Sequence, residues 1–309
     1  MMHAWEQIQK TVDYIEENLS EEIKIETLAN LTGLSPFYFQ RLFKRLVKKP
    51  VNKYVKLRRL ARASEVLLDK NKRIVDIALD YGFSSHETFT RSFKDAYRIT
   101  PAEFRSRPSR LTHVSKPDLF LDYTMIDEDV PLITDSMVLE MTRRKLDSPE
   151  AYVGLSTKIP ISQMPAGETT GIDRAGQLWD SFHSCKGDIP YLLSDGIELG
   201  VSMMDEAIPD TFTYFVGGEL MSNTCVSEPF VKWELAAGEY VVCCFEAENF
   251  TELSTNALGK AMNYLLETWL VKRGLTIQPF SVEKYYQTTS SEAYMEIWVI
   301  PVSIKDTMT

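Results

Sequence analysis

The stretch ALDYGFSSHETFTRSFK, residues 78–94, decides the fold of the first third of the chain. It repeats the pattern of ANLTGLSPFYFQRLFK, residues 29–44: Ala, Gly and Ser recur after 49 positions, and the later Phe, Arg, Phe and Lys recur after 50. In each copy a buried Ala, a Gly that permits a left-handed turn and a Ser N-cap (Ser35 and Ser84) join two short helices. The repeat predicts two helix-turn-helix units.

The second helix of each unit divides into an apolar stripe and a polar remainder. Spacings of three and four place Phe39 and Phe43 in the core of the first unit, and Phe89 and Phe93 in the core of the second. The other faces carry Gln and Arg, which read base edges, and Lys, which binds phosphate. We expect contacts to double-stranded DNA from Phe37, Gln40, Arg41, Lys44, Arg45, His86, Glu87, Thr90, Arg91 and Lys94.

Four of these residues have a second interpretation. A lone exposed Arg on a helix is usually only solvated, but Arg41 and Arg91 occupy the same slot of a repeated motif in a basic segment. Phe37 is either a packing residue at the helix start or a contact to a thymine methyl group. Glu87 is either a base contact that accepts from cytosine N4 or an acid at a helix N-terminus.

Charge is divided unevenly along the chain. Residues 1–110 hold 21 Lys and Arg against 14 Asp and Glu, a net charge of +7, and residues 111–309 hold 13 against 30, a net charge of −17. The basic segment attracts DNA, whereas the acidic segment would repel its phosphates. We therefore assign DNA binding to the first segment, which the overall net charge of −10 conceals.

The texture of the sequence changes after Pro108. Residues 1–110 are helical almost throughout, including one long helix over 51–68 that holds the two units at a fixed separation. A linker at 111–134 comes next. It is followed by short strands with alternating apolar and polar residues, which are separated by Gly and Pro turns. We expect two domains: an all-α double helix-turn-helix domain over 1–110 and an α+β domain over 135–309.

Residues 25–44 and 74–105 resemble the AraC/XylS family of transcription regulators, and the second copy carries a highly specific signature. The resemblance implies that two recognition helices enter successive major-groove segments on one face of the DNA. Lys48 departs from the family, which commonly has Gly at that position. The slots that touch bases in the family correspond to Gln40, Arg41, Thr90 and Arg91.

Residues 135–303 resemble the GyrI-like effector-binding domain, and the order of the two domains is similar to that of Rob-like regulators. This resemblance implies two pseudo-repeated β-α-β-β units, with helices at 172–184 and 250–273. It also implies a cleft between the two halves that binds bulky, often cationic, hydrophobic compounds. A small-molecule effector of that chemistry is the expected ligand.

The two closing strands each present a carboxylate beside an aromatic ring. Because side chains alternate along a strand, Glu283 shares a face with Tyr285, and Glu296 shares a face with Trp298. Such walls suit an apolar cation by charge attraction and cation–π contact, so we predict effector contacts from all four residues. We favour Glu296 because it lies mid-strand, whereas solvent competes near the start of a strand at Glu283. The alternative is that the rings are half-buried core and the carboxylates face solvent.

Motifs of other protein classes are missing from the sequence. There is no G-x-S-x-G, H-E-x-x-H, P-loop or G-x-G-x-x-G motif, the cysteines lack C-x-x-C spacing and the histidines are scattered. We predict no catalytic residue, no metal and no cofactor, and we expect Trp179 and Trp269 to be core residues of amphipathic helices. The N-terminus lacks a signal-peptide pattern and no stretch approaches 18 apolar residues, so we expect a cytoplasmic protein with no membrane partner.

The leading hypothesis is a transcription regulator, not an enzyme, whose DNA binding or contact with RNA polymerase is modulated by a small molecule. Two alternatives stay open for the second domain. It is a small-molecule hydrolase in which Glu283 or Glu296 activates water, or it is a protein-interaction module without a ligand. A closed, aromatic-lined pocket with one buried carboxylate would favour ligand binding over the interaction module.

Overall fold

The computed structural model describes residues 4–134, 137–163, 170–189, 191–193, 195–204, 210–221, 226–286 and 293–304. The chain forms two compact units, which we call unit 1 (Met1–Tyr123 with Pro165–Asp173) and unit 2 (Thr124–Met164 with Arg174–Thr309). Residues 135 and 136, where the predicted second domain begins, lie outside the described residues. The domain boundaries at 110 and 135 stay predictions.

The described helices and strands are as follows. The helices are α1 (Ala4–Glu17), α2 (Ile25–Thr32), α3 (Pro36–Val47), α4 (Val51–Leu67), α5 (Ile74–Asp80), α6 (His86–Tyr97), α7 (Pro101–Ser106), α8 (Leu119–Tyr123), α9 (Arg174–Cys185) and α10 (250–272), the last with π-helical turns at Leu253–Ala257 and Tyr264–Trp269. The strands are β1 (Leu111–Thr112), β2 (Leu132–Ile133), β3 (Val138–Leu146), β4 (Glu150–Pro160), β5 (Gly171–Ile172), β6 (Glu198–Met204), β7 (Thr211–Glu219), β8 (Val231–Leu235), β9 (Gly238–Ala247), β10 (Leu275–Ile277), β11 (Phe280–Tyr285), β12 (Ala293–Val299) and β13 (Pro301–Ser303).

Both predicted helix-turn-helix units are present in unit 1, as α2–α3 and α5–α6. Gly33 and Gly82 adopt left-handed conformations, with φ of 67° and 69°, at the two turns. Ala29 and Ala78 are buried at the matching positions of the first helices. The small residue lets the helices pack closely, and the glycine allows the sharp turn between them.

The serine caps correct one detail of the predicted repeat. Ser35 caps α3 by accepting from the Tyr38 N–H, as expected. In the second unit the cap is Ser85, which accepts from the Thr88 N–H, so the prediction of Ser84 is wrong. The extra residue of the second copy lies between the glycine and the cap, which is why the offset changes from 49 to 50 residues before Phe89.

Both recognition helices end in a residue other than glycine with positive φ. These residues are Lys48 at φ 57° and Arg98 at φ 66°. A side chain in this conformation costs about 1–2 kcal/mol relative to glycine, and a cation at a helix C-terminus offsets part of that cost. The departure of Lys48 from the family pattern therefore leaves both helices ending in the same left-handed turn.

A buried ion pair connects three segments of unit 1. Arg58, on the long helix α4, donates through Nε and Nη2 to the two carboxylate oxygens of Glu16 on α1, at 2.7 and 2.8 Å. Its Nη1 donates to the Val114 carbonyl oxygen at 2.6 Å. Burial opposes ionisation of Glu16, but the bonds from Arg58 outweigh it and hold the pKa of Glu16 below its usual value.

The first part of the predicted linker packs on unit 1. Val114 and Leu119 belong to the same hydrophobic core as the helix-turn-helix units. The Trp5 ring on α1 stacks on Tyr123, with ring centroids 6.1 Å apart. These apolar contacts place Val114 and the helix Leu119–Tyr123 against unit 1.

Unit 2 contains a nine-stranded antiparallel sheet in the order β2-β3-β9-β12-β11-β6-β7-β4-β8, and β10 pairs separately with β13. The two predicted β-α-β-β units are present as β4-α9-β6-β7 and β9-α10-β11-β12. Their strands occupy equivalent halves of the sheet, which meet where β6 pairs with β11. The predicted fold class, an all-α domain followed by an α+β domain, is confirmed.

The register divides the predicted effector residues between two faces of this sheet. Glu296 lies directly opposite Lys284, which is the neighbour of Glu283 on β11. Opposite residues share a face and successive residues alternate. Glu283 and Tyr285 therefore project from one face, which we call the Glu283 face, and Glu296 and Trp298 project from the other, the Glu296 face.

Candidate functional site

The recognition helix α3 exposes the residues that were predicted to contact DNA. Phe37 is 63% exposed, so its ring adds little to the core, and the Arg41 guanidinium carbon lies 5.7 Å from the centre of that ring. The Gln40 amide donates to the Pro36 carbonyl oxygen at 3.2 Å. Lys44 and Arg45 are exposed on the following turn. These five side chains lie on the exposed surface of α3, whereas Phe39 and Phe43 are buried in the core.

Helix α6 exposes four of its five predicted contacts: His86, Glu87, Arg91 and Lys94. The fifth, Thr90, is half-buried, and its hydroxyl oxygen is buried with no hydrogen-bond partner among the described residues. The Ser85 hydroxyl and the N–H of Glu87 itself bond to the Glu87 carboxylate and lower its pKa. The Glu87 carboxylate therefore lies at the N-terminus of α6, which is the second of the two interpretations given above.

On the Glu296 face the carboxylate is enclosed by donors. Glu296 is 2% exposed, the Tyr286 hydroxyl and the Trp298 indole donate to it at 2.6 and 2.8 Å, and the Tyr294 hydroxyl donates as well. Arg144 Nη1 lies 2.7 Å from Glu296 Oε1. Burial opposes ionisation, but these donors and the guanidinium hold the pKa of Glu296 below its usual value.

The Trp298 ring on this face already contacts cations of the protein itself. Lys284 Nζ lies 4.1 Å from the ring centre, and the Arg144 guanidinium carbon lies 5.6 Å from it. The buried Lys284 ammonium also pairs with Glu150 at 2.6 Å. The positions that a bound cation would take beside Trp298 are therefore held by internal side chains.

On the Glu283 face the carboxylate is bonded to phenols. Glu283 is 9% exposed, and the hydroxyls of Tyr214 and Tyr285 both donate to its Oε2 at 3.1 Å. The Trp179 indole N–H donates to the Tyr214 hydroxyl oxygen at 3.1 Å. A chain of hydrogen bonds thus connects α9 to the carboxylate on β11.

Rings from both halves of unit 2 meet beside this carboxylate. The Tyr285 ring centre lies 4.8 Å from that of Trp179 on α9 and 6.2 Å from that of Phe250 on α10. Tyr285 and Trp179 are half-buried, and Phe250 is 59% exposed. We call Glu283, Tyr285, Trp179, Phe250 and Tyr214 the seam cluster, because they lie where the two β-α-β-β units join.

Gly200 on β6 makes room for the seam cluster. A β-carbon there would lie 2.5 Å from the Tyr214 hydroxyl oxygen and 3.1 Å from Glu283 Oε2. The hydrogen bond between these two side chains thus depends on a residue without a side chain at position 200.

Sequence patterns missed three members of the seam cluster. Trp179 was expected in the core, and the amphipathic pattern of α9 was correct, but the indole N–H is directed to Tyr214 on the sheet. Tyr214 and Phe250 carried no signal, since an alternating strand and an apolar residue at a helix start are common. Only the pairing of β6 with β11, which brings the halves together, places them near Glu283.

Within the described residues, no helix combines the length and apolar character needed to cross a membrane.

Comparison with known proteins matches both parts of the fold. Residues 28–107 match a helix-turn-helix domain family, and residues 149–302 match the GyrI-like small molecule binding domain. The chain is 42% identical over 111 residues to the uncharacterized HTH-type transcriptional regulator YbfP of Bacillus subtilis (strain 168), covering 36% of this chain and 38% of that protein. It is 33% identical over 100 residues to the regulatory protein SoxS of Salmonella typhimurium, covering 32% of this chain and 94% of that protein.

A third relative is the Right origin-binding protein of Escherichia coli (strain K12), 34% identical over 127 residues, with 39% of this chain and 44% of that protein covered. The chain thus spans less than half the length of two of these relatives. The fold defines a helix-turn-helix DNA-binding protein with a GyrI-like second domain. The chain belongs to the AraC family of transcription regulators, which confirms the predicted resemblance.

Proposed function

We propose that this protein is a sequence-specific DNA-binding regulator, not an enzyme, whose activity changes when a hydrophobic cation binds at the seam cluster. The observation that carries the proposal is the position of Glu283, which is bonded to two phenols, one of them on Tyr285, whose ring contacts rings from both halves of unit 2. RNA polymerase as a further partner and the cytoplasmic location stay predictions from the sequence.

Three physical features support a cationic ligand at this place. Partial burial of the Glu283 carboxylate lets one ion pair contribute more than it does in water. The Tyr285, Trp179 and Phe250 rings offer apolar contact and cation–π attraction. The net charge of −17 over residues 111–309 attracts cations from a distance.

Glu283 is the better candidate than Glu296, although the sequence favoured Glu296. A ligand at Glu296 has to displace Arg144, which pairs with that carboxylate at 2.7 Å. At Glu283 two of the donors are the hydroxyls of Tyr214 and Tyr285, and a neutral phenol rotates away at a smaller electrostatic cost than the removal of a guanidinium.

The ligand proposal is tested by calorimetric titration with tetraphenylphosphonium, using the neutral triphenylphosphine oxide as the control probe. We expect Glu283→Gln to weaken cation binding at least about tenfold, or about 1.4 kcal/mol, and to leave the neutral probe unaffected. Glu296→Gln is the matched control, since it makes the same change on the other face. Loss of binding in Glu296→Gln alone would move the site to that face. No binding by the wild type would favour the protein-interaction module.

The DNA proposal is tested on the two equivalent arginines. We expect Arg41→Ala and Arg91→Ala each to weaken specific binding by about 1–3 kcal/mol and to relax base preference in one half of the site. Binding of wild type and variants to specific and random duplexes is compared by fluorescence anisotropy. An equal loss on both duplexes would show that these arginines contact only phosphate.

A further inference from the structure

Strand β5 has an unusual place in the fold. It ends one residue before α9 of unit 2, yet it belongs to unit 1. There it pairs with β1, with Thr112 opposite Gly171, and the Asp173 N–H donates to the Arg110 carbonyl oxygen at 3.0 Å. Strand β5 also packs against α6, the second recognition helix. Asp173 is therefore the single residue between a strand on the DNA-binding unit and the helix that carries Trp179.

The middle of α9 leads to the proposed effector site. The Trp179 indole donates to Tyr214, and Tyr214 donates to Glu283, each at 3.1 Å. A cation that takes over the Glu283 carboxylate removes the acceptor of the Tyr214 hydroxyl. The bond from Trp179 to Tyr214 is then changed as well, so ligand binding acts directly on α9.

We infer that the pairing of β5 with β1 is a two-state element, paired or released, through which effector occupancy changes the affinity for DNA. The inference rests on the proposed function. Among the described residues, which leave out 164–169, two residue pairs hold β5 on β1, and so short a ladder opens at low cost compared with the core. A ligand that favours one arrangement of α9 shifts this equilibrium. In the paired state β5 stays packed against α6, and in the released state α6 loses this contact.

The inference is tested by locking the pair in the full-length protein with Thr112→Cys and Gly171→Cys. Residues directly opposite each other in an antiparallel pair have α-carbons about 4.5–5.5 Å apart, within the range of a disulfide. A β-carbon at Gly171 would meet no atom within 4 Å. The reduced form of the same variant is the matched control, and wild type with and without reductant controls for the native cysteines.

The first measurement uses tetraphenylphosphonium and a duplex enriched from a random library by the wild-type protein. We expect the cation to change the Kd for DNA at least about fivefold in the wild type and in the reduced variant. In the oxidised variant the change should fall below about twofold, while calorimetry still detects cation binding. A full response in the oxidised variant would overturn the inference and leave the proposed effector site intact.

The second measurement needs no effector. Because coupling between sites is reciprocal, DNA should alter amide hydrogen exchange in α9, at Arg174–Cys185, in the wild type and the reduced variant but not in the oxidised one. An α9 that does not respond to DNA in the wild type overturns the inference. If α9 responds in this way but tetraphenylphosphonium does not bind, the proposed ligand is wrong and the inference is supported.

Discussion

Glu283 and Glu296 lie on neighbouring strands of one sheet, each two residues before an aromatic partner, yet their surroundings differ. Glu296 is neutralised inside the protein by Arg144 and accepts from the Trp298 indole. Glu283 accepts from two phenols, and the ring of one of them, Tyr285, contacts rings that two helices supply. The same sequence pattern thus produces one carboxylate that is paired within the protein, Glu296, and one that we assign to ligand binding, Glu283. The difference comes from the neighbouring side chains on each face of the sheet.

The largest difference between the two carboxylates should appear in the free energy of unfolding of their glutamine variants. Glu296→Gln leaves the Arg144 guanidinium beside a neutral amide, and because Arg144 is 38% exposed we expect water to limit the loss in free energy of unfolding to about 2 kcal/mol. Glu283→Gln keeps a side-chain oxygen that can accept from the Tyr214 and Tyr285 hydroxyls and should cost less than about 1 kcal/mol. Urea unfolding of both variants measures the difference. Equal losses would contradict the distinction between the faces.

A smaller effect should follow from filling the space at Gly200. Gly200→Ala forces the Tyr214 hydroxyl away from Glu283, so tetraphenylphosphonium affinity should change about fivefold, or about 1 kcal/mol. The direction reports the role of the bond: weaker binding means that Tyr214 positions the carboxylate, and tighter binding means that it competes with the cation. Gly187→Ala is the control, because a β-carbon there meets no atom within 4 Å. Identical affinities in both variants would remove Tyr214 from the site.

The smallest difference should appear at acid pH. The folded-state pKa of Glu296 is lowered, so its ionised form stabilises the fold above the unfolded-state pKa of about 4.3, and this contribution is lost as pH falls through the folded value. Wild type should therefore lose its stability advantage over Glu296→Gln below about pH 4. Thermal unfolding of both proteins from pH 7 to pH 3 tests this. A difference that is constant with pH would mean that the charge of Glu296 adds nothing.

The sequence predicted local groupings well. Strand alternation placed Glu283 with Tyr285 and Glu296 with Trp298, and hydrogen bonds join both pairs in the structure. The internal repeat predicted the left-handed turns at Gly33 and Gly82. These features depend on neighbours within a few residues, which is why a single sequence contains them.

Features that depend on distant segments were not predictable in the same way. Nothing local says that Glu296 lies opposite Lys284, because that register depends on how two separate strands pair. The seam cluster needs Trp179 and Phe250 to arrive from helices far apart in the chain. The prediction of Ser84 as the N-cap of α6 was wrong for a more local reason. Two adjacent serines, Ser84 and Ser85, satisfy the same pattern, and only the geometry of the turn selects Ser85.

The opposition of Glu296 and Lys284 also bears on how the chain folds. A slip of β12 by one residue would turn every side chain on that strand to the other face. Glu296 would then lie among buried side chains without Arg144 or the Tyr286 hydroxyl, which belong to other segments, and an unpaired buried carboxylate costs several kcal/mol. The apolar Ile297 would take its place among the polar donors. The polar network at Glu296 therefore disfavours misregistered sheets during folding, and a sheet with leucine at position 296 would have more than one acceptable way to pair its closing strands.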